Sequence, residues 1–234
     1  MRIFESLKDA VNEIERDLHE MGTKVWPETY QDKSVIDDPD FETKELQGYS
    51  YLITRPEMIK PHFVELGGSL TYLEGEILDR INPSWLNPGE SYKERATIWN
   101  QFLHNGKFAY TYNERIRMQL EPIIEQLNSN PNTRQAVISI YDFNRDLPNM
   151  GGKARIPCSM FYQFLIRKRS GINYLDVIYT MRSCDFYTHF IYDVALANEL
   201  RNYIAFMLSL KGGHLTHFLG SLHFYKKDCK KEVF

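Results

Sequence analysis

The chain has 234 residues, of which 43% are hydrophobic and 14% aromatic, so it can bury one substantial core. We therefore expect one domain over residues 1–234. Its 28 basic and 31 acidic residues give a formal net charge of -3, which excludes a global basic field that would attract nucleic acid or a membrane surface. Any bound anion has to be held by a local cluster of cations.

The beginning of the chain carries charges throughout and lacks the apolar run of a signal peptide or a membrane span. We therefore expect a cytoplasmic protein whose cysteines at positions 158, 184 and 229 are reduced. Apolar residues recur at spacings of three and four from Phe4 to Met21, and Gly22 follows. This pattern predicts a first amphipathic helix with a glycine stop.

Further along, the pattern predicts a mixture of helices and strands. Residues 23–60 read mainly as loops with one strand in "QGYSYLI", and helices are predicted in "SLTYLEGEILDRI" and "YNERIRMQLEPIIEQLNSNPNT". The segments "QAVISIYDF", "SMFYQFLIRK" and "INYLDVIYTM" are strand candidates. A long helix, "VALANELRNYIAFMLSLKGG", is predicted to stop at its Gly-Gly pair before a last strand, "HLTHFLGSLHFY". The fold class is α+β.

Two segments concentrate residues that carry chemistry. Cys158 follows a proline at the start of a strand candidate; its ordinary role would be a small buried hydrophobe. A nucleophilic cysteine needs a nearby cation that stabilises the thiolate, and Arg182 supplies one if the two strands pair. Arg182 and Ser183 also form a donor set for phosphate, whereas an ion pair with Asp185 is the structural alternative. For Asp193 the alternative is a helix N-cap.

In order and spacing, "RIPCSMFYQF", "MRSCDF", the acidic residue eleven positions after Arg182, "LKGG" and "LGSLHFY" resemble the thymidylate synthase family. The resemblance is dense over residues 130–226. It implies a mixed β-sheet packed with helices, one face of which forms a homodimer interface. It also implies 5,10-methylenetetrahydrofolate as cosubstrate, and no metal.

The resemblance assigns catalytic roles. Cys158 would attack C6 of a pyrimidine nucleotide, so that C5 can take a one-carbon unit from the folate. Glu76 in "YLEGEIL" is the candidate for the family's catalytic glutamate, with Glu74 as the alternative. Tyr112 in "YTYNER" matches a tyrosine of the active-site water network.

Ligand-binding roles follow from the same resemblance. Arg182 and Ser183 would hold the nucleotide phosphate, and His223 and Tyr225 the sugar hydroxyl. For the folate, Asp185 would contact the pterin. Trp99 in "ATIWNQF" matches a tryptophan that lines the folate pocket.

Arg134 in "NTRQ" resembles the family's residue that crosses the dimer interface to the partner's phosphate. Gln135 stands where a second arginine is usual, and Lys33 in "YQDKS" is the cation that could compensate. Two further departures are His189, where the family often has glycine, and the nine residues after "HFY", where the synthases have a longer tail that closes over the folate.

Asp193 decides between branches of the family. Thymidylate synthases carry asparagine at this position, whose donor and acceptor groups match uracil. An ionised carboxylate only accepts, so against uracil one oxygen would face O4 without a proton, at a cost of roughly 1 to 3 kcal/mol. Cytosine offers its 4-amino group, and one proton shared with N3 completes a bidentate pair. With this aspartate, with "MRS" in place of the synthases' "QRS", and with the "GSLHxY" ending, the chain resembles most the dCMP hydroxymethylases of T-even-type phages, which add water and leave tetrahydrofolate unoxidised.

Other functions stay open on the sequence. A thymidylate synthase or a cytidylate C5-methylase would transfer hydride and release dihydrofolate. A CMP hydroxymethylase would use the ribonucleotide, and a non-catalytic relative would bind a nucleotide or RNA. For the favoured function the partners are dCMP and a second copy of the chain, with no membrane and no nucleic acid. The product could serve a modified DNA base or a secondary metabolite, and a phage-encoded enzyme would act in the host cytoplasm.

Overall fold

The protein is described here by a computed structural model that covers residues 1–229. Within this range, seven of the nine strands form one mixed sheet and the other two form a separate hairpin. The strands are β1 (Arg2–Phe4), β2 (Thr23–Val25), β3 (Thr29–Tyr30), β4 (Lys33–Ser34), β5 (Thr43–Ile53), β6 (Val137–Ser139), β7 (Ser159–Arg169), β8 (Ile172–Asp185) and β9 (Lys211–Tyr225).

Helices cover one face of this sheet and connect its strands. Long helices begin at side-chain caps: Ser6, Ser69 and Thr111 each accept a hydrogen bond from a backbone N–H of the first turn. The α-helices of the described chain are α1 (Leu7–Met21), α2 (Ile59–Glu65), α3 (Leu70–Ile81), α4 (Ala96–Trp99), α5 (Tyr112–Ser129), α6 (Phe143–Asp146) and α7 (Phe190–Met207).

The sheet order is β1-β5-β9-β8-β7-β6, and β2 pairs with β5. β7 and β8 pair antiparallel, which confirms the strand pairing expected to bring Arg182 to Cys158. β8 and β9 are parallel, and Ser183 lies opposite Ser221 and Asp185 opposite His223. The two strands therefore deliver their polar residues to the same end of the sheet.

Helix α7 crosses the centre of the sheet and forms much of the core. Its residues Val194, Ala197, Leu200 and Ile204 are fully buried, at the three- and four-residue spacings that place them on one face. Burial of one such aliphatic side chain contributes roughly 1.5 to 3 kcal/mol. The packing fixes the first turn of α7, which contains Asp193, against the polar end of β8.

The predicted α+β class and the three long helices before residue 130 are confirmed. One local prediction was wrong. Helix α7 ends at Met207, and the Gly-Gly pair lies inside β9, where a side chain on Gly213 would collide with Asp176. The structural alternative for Asp193, a helix N-cap, does not apply, because Asp193 is in the first turn of α7 and the N-cap is His189. The predicted strand in "QGYSYLI" lies within β5, and the strand in "QAVISIYDF" is limited to β6.

Candidate active site

A cavity of about 150 Å³ opens at the end of the sheet where β8 and β9 deliver their polar residues. Its walls come from α3, α4, α7, the start of α5 and the segment before β7. Of the residues predicted for the site, nine line it: Glu76, Trp99, Tyr112, Cys158, Ser183, Asp185, Asp193, His223 and Tyr225. Residues up to 149 positions apart in the sequence thus line the same cavity.

Cys158 is half-buried just before β7, and two side-chain donors point at its sulfur. Nη2 of Arg182 lies 3.9 Å from Sγ, and Nε2 of Gln31 lies 3.8 Å from it. Arg182 also donates to the backbone carbonyls of Pro157, at 3.0 Å, and Ile156, at 3.1 Å. The guanidinium therefore holds the backbone before the cysteine in place and puts a positive charge beside its sulfur. The predicted alternative, an ion pair between Arg182 and Asp185, is absent from the described residues.

Opposite the cysteine segment, β8 and β9 present groups that can bind a polyhydroxylated ligand. Nδ1 of His223 lies 3.1 Å from the hydroxyl of Ser221, and burial lowers the pKa of His223 to about 4. Burial raises the pKa of Tyr225. Each change favours the uncharged form, so His223 and Tyr225 are both neutral at physiological pH. The hydroxyl of Ser183 lines the same wall. The neutral side chains of His223 and Tyr225 suit a sugar hydroxyl rather than a phosphate.

Asp185 is 9% exposed and faces the cavity from the end of β8. Its Oδ1 accepts a hydrogen bond from the backbone N–H of Thr188, at 3.3 Å, and burial raises its pKa. The Thr188 side chain and the Tyr187 backbone also hydrogen-bond to this carboxyl. A carboxylate has about four acceptor positions, so it can accept from a ligand as well.

Asp193 projects into the cavity from the first turn of α7. The thiol of Cys184 donates to its Oδ2, with an S···O distance of 3.6 Å. Burial raises the pKa of Asp193 to about 7, against the opposing charge of Arg80. The carboxyl is thus protonated in a large fraction of molecules at neutral pH, and it can both donate and accept.

Helix α3 places its two candidate glutamates differently. Glu76 lines the cavity and accepts from Nε of Arg80 and from the hydroxyl of Ser91, each at 3.1 Å. Glu74 points outward, where its side chain is 58% exposed and pairs with Lys60 at 2.9 Å. Only Glu76 is placed where it could contact a ligand in the cavity.

A chain of hydroxyl groups leads from Tyr112, which lines the cavity, into the sheet. Tyr112 and Ser159 are 2.9 Å apart through their oxygens, and Ser159 is hydrogen-bonded in turn to Tyr179. The guanidinium of Arg80 lies over the Tyr112 ring, 4.0 Å from its centroid. Because hydroxyl groups can exchange donor and acceptor roles, this chain can hold and move a proton.

Trp99 forms an aromatic wall between the cavity and the surface. Its Nε1 donates to the Tyr72 hydroxyl at 3.2 Å, and its ring packs against His189, with centroids 5.6 Å apart and a 37° angle. Burial lowers the pKa of His189 to about 3, so this histidine is neutral. The wall offers a flat apolar face with neutral edges, on which a planar ligand can stack.

Three residues predicted for the site are not among those that line the cavity. Arg182 lies beside Cys158 as described above, and Arg134 and Lys33 lie elsewhere. Arg134 is exposed in the turn before β6, where its carbonyl accepts from Gln163 at 2.9 Å. The ammonium of Lys33 donates to Gln101 at 2.7 Å and lies 5.2 Å from the Phe102 ring centroid. The prediction of Lys33 as a ligand within this cavity is therefore not supported by its position, because its charge is directed at Gln101.

Some cavity residues were missed from the sequence. Gln31 sits at φ 59° in the turn between β3 and β4, and Arg95 donates to the carbonyl of Thr188 at 2.9 Å. Arg155 lies three positions before Cys158 among aromatic rings. The only sequence signal was a cation close to the cysteine in "KARIPC", since the rings around it come from segments about fifty residues earlier.

No set of three or more histidine, cysteine, aspartate or glutamate side chains within residues 1–229 is arranged to hold a metal ion. In the same range no helix combines the length and apolar character needed to cross a membrane.

The fold and the cavity together define a protein with a cysteine beside an arginine at the mouth of a deep, mixed-polarity pocket on a large mixed sheet. The family model described as thymidylate synthase matches residues 7–232. The chain belongs to the thymidylate synthase family.

Curated relatives carry the same family name. The thymidylate synthase of Buchnera aphidicola subsp. Baizongia pistaciae is 29% identical over 178 residues, which cover 73% of this chain and 60% of that protein. A Methanocaldococcus jannaschii protein, provisionally named as a thymidylate synthase, is 28% identical over 203 residues, covering 85% and 83%. The thymidylate synthase of Enterobacteria phage T4 is 25% identical over 202 residues, covering 79% and 66%. The chain thus spans less than two thirds of the Buchnera and phage enzymes.

Proposed function

We propose that the protein transfers a one-carbon unit from 5,10-methylenetetrahydrofolate to C5 of dCMP and adds water, giving 5-hydroxymethyl-dCMP and tetrahydrofolate. The observation that carries this proposal is the carboxyl of Asp193 in the cavity, at the position where the sequence comparison above expects asparagine in a thymidylate synthase. The overall reaction is redox-neutral: the carbon arrives at the oxidation level of formaldehyde, and water supplies the hydroxyl oxygen.

Base recognition rests on the proton of Asp193. Its carboxyl, with a pKa of about 7, can donate its proton to N3 of cytosine while its second oxygen accepts from the 4-amino group. Cytosine N3 is a base and shares this proton well, whereas O4 of uracil is a very weak base. A proton held at N3 also draws electrons from the ring and favours attack at C6. Cys184 keeps the carboxyl oriented through its contact with Oδ2.

Cys158 acts as the nucleophile in the proposed reaction. Its thiolate forms a bond to C6, which turns C5 into a carbon nucleophile. C5 then bonds to the one-carbon unit; loss of the C5 proton lets tetrahydrofolate leave and gives an exocyclic methylene group. Water adds to this methylene group as the C6–S bond breaks and the thiolate is regenerated. Arg182 and Gln31 stabilise the thiolate before it attacks C6 and again when the C6–S bond breaks. Arg182 also binds the nucleotide phosphate with Ser183, and His223 and Tyr225 bind the sugar hydroxyl.

The cosubstrate side of the cavity fits a reduced folate. Trp99 presents a face for a planar ring, and Asp185 presents a buried acceptor for the ring's N–H donors. The folate supplies the one-carbon unit when bound. The chain's own contribution is to stack the ring and to fix its edge.

We expect Glu76 to act on the water that adds to the nucleotide, as a general base positioned by Arg80 and Ser91. Glu76→Gln should lower turnover about a hundredfold or more, the usual range for loss of general acid–base catalysis. Glu74→Gln, on the outer face of the same helix, is the matched control and should change turnover less than about twofold. Steady-state rates with dCMP measure both, and equal losses would contradict the assignment.

A homodimer with Arg134 supplied to the partner's phosphate is part of the proposal. The sheet face opposite the helices carries the half-exposed apolar side chains Phe161, Leu165 and Ile178, together with Phe218, which is 42% exposed. These apolar side chains alternate with polar ones such as Gln163 and Thr180, and their exposure suits burial against a second copy. A monomer by gel filtration that is fully active at assay concentration would remove this part of the proposal.

The second candidate is thymidylate synthesis, favoured by the names of the relatives. It requires Asp193 to bind uracil and requires hydride transfer with release of dihydrofolate. Parallel incubations with dCMP and dUMP, each with methylenetetrahydrofolate, separate the two functions. A modified dCMP without dihydrofolate absorbance supports hydroxymethylation; methylated dUMP with dihydrofolate means that the second candidate is correct.

A further inference from the structure

Arg155 is an arginine buried inside the cavity wall and surrounded by aromatic side chains. It is 7% exposed, and it belongs to the short segment that leads into Cys158. Its Cζ lies 5.0 Å from the ring centroid of Trp99, 4.8 Å from Phe102, 5.8 Å from Phe108 and 5.2 Å from Tyr110. We call these four rings the aromatic box.

The charge of Arg155 lacks a protein counter-ion in residues 1–229. Its Nε is buried without a hydrogen-bond partner there, and no carboxylate lies within ion-pair distance of its guanidinium, whereas Arg80 pairs with Glu76 and Arg115 with Asp146. Ring faces stabilise a guanidinium, but they do not replace acceptors for its in-plane N–H groups. A buried donor left unpaired is costly, which indicates that a ligand atom completes this site.

The aromatic box places the guanidinium on the cosubstrate side of the cavity. Trp99 belongs both to the box and to the wall that packs against His189. Asp185, the buried acceptor proposed for the ring's N–H groups, lines the same cavity. An acceptor and a five-donor group therefore face the same cavity.

The chemistry of this pair fits a 2-amino-4-oxo pteridine. One edge of such a ring carries N–H donors, and another carries the 4-oxo acceptor beside a ring nitrogen. Arginine reads the equivalent edge of guanine, where an oxo group also stands beside a ring nitrogen, with two parallel hydrogen bonds.

We propose that Arg155 donates hydrogen bonds to the 4-oxo group of the one-carbon donor and so selects a 4-oxo over a 4-amino pteridine. This inference rests on the proposed folate cosubstrate. The unpaired Nε–H donor and the aromatic box would then both serve to bind the 4-oxo edge of the ring.

The test compares dissociation constants of folic acid and 4-amino-4-deoxyfolic acid, with dCMP present, for the native protein, Arg155→Met and Arg95→Met. The two ligands share one tail, so any contact of the tail cancels in the ratio of their constants. Arg155→Met should shift this ratio about tenfold toward the 4-amino ligand, since the oxo group loses its donor and the amino group loses a facing cation. Arg95→Met, which removes a cavity arginine bound to the Thr188 carbonyl, should leave the ratio unchanged.

If Arg155 had only a structural role, Arg155→Met would weaken the binding of both ligands equally and leave the ratio unchanged. An unchanged ratio would overturn the inference and leave the folate assignment intact. If the native protein binds neither pteridine, the cosubstrate assignment fails and this inference fails with it. Turnover of methylenetetrahydrofolate by the native protein distinguishes the two failures.

Discussion

Asp193→Asn is expected to reverse the base preference of the protein from dCMP to dUMP. The amide offers a fixed donor and a fixed acceptor, which match O4 and N3–H of uracil, and it has no proton to transfer to N3 of cytosine. Two mismatched hydrogen bonds in a buried site should change the ratio of kcat/KM values by on the order of a hundred- to a thousandfold. Competition between the two nucleotides in one incubation measures the ratio directly.

Asp185→Asn is the matched control for this substitution. It removes a second buried carboxylate from the same cavity, but on the cosubstrate side. We expect a higher KM for methylenetetrahydrofolate and an unchanged preference between dCMP and dUMP. A preference that stays with dCMP in the Asp193→Asn variant would mean that another group reads the base.

The pH dependence should report the same carboxyl. Burial raises the pKa of Asp193 to about 7, so the proton-bearing form predominates below that pH and is lost as the pH rises through it. The kcat/KM for dCMP should therefore be highest below about pH 6 and fall above 7, because this parameter titrates groups of the free enzyme. In Asp193→Asn with dUMP this decrease should disappear.

Cys158→Ala is expected to reduce turnover by at least about a thousandfold, since the carbon nucleophile at C5 cannot form without the bond from sulfur to C6. Binding of dCMP should persist, because Arg182 and the sugar-binding groups are unchanged. Turnover and equilibrium binding are measured on the same preparation. Folding of the variant is checked by its circular dichroism spectrum.

Cys229→Ala is the control for this variant. Cys229 packs against the core outside the cavity and should be dispensable for turnover. Cys184 is unsuitable as a control because its thiol contacts Asp193. Retained turnover in Cys158→Ala would exclude covalent catalysis and favour a different role for the cavity.

The elements that could be predicted from the sequence are those whose pattern is local. Helix α1 has a three- and four-residue apolar spacing, and β7 and β8 are rich in aromatic and β-branched residues between turn formers. The Gly-Gly pair was misread as a helix stop because its reason is tertiary: β9 passes so close to Asp176 that only glycine fits. Close approach of two chain segments leaves no local signature.

The site divides in the same way. The segments around Cys158 and Arg182 were recognisable as motifs, and pairing of β7 with β8 then brings them together. The sequence could only favour Glu76 over Glu74, and the orientation of α3 in the fold separates them. Arg155 went unnoticed because its meaning depends on rings that reach it from distant segments.

The most direct test of the proposed function is the origin of the oxygen in the product. The purified protein is incubated with dCMP and methylenetetrahydrofolate in oxygen-18-labelled water, and the nucleotide is analysed by mass spectrometry while dihydrofolate absorbance is followed. Hydroxymethylation predicts that dCMP gains a hydroxymethyl group bearing the label, with no dihydrofolate. An unlabelled methyl group, formed together with dihydrofolate, would contradict the account and identify hydride transfer as the second half of the reaction.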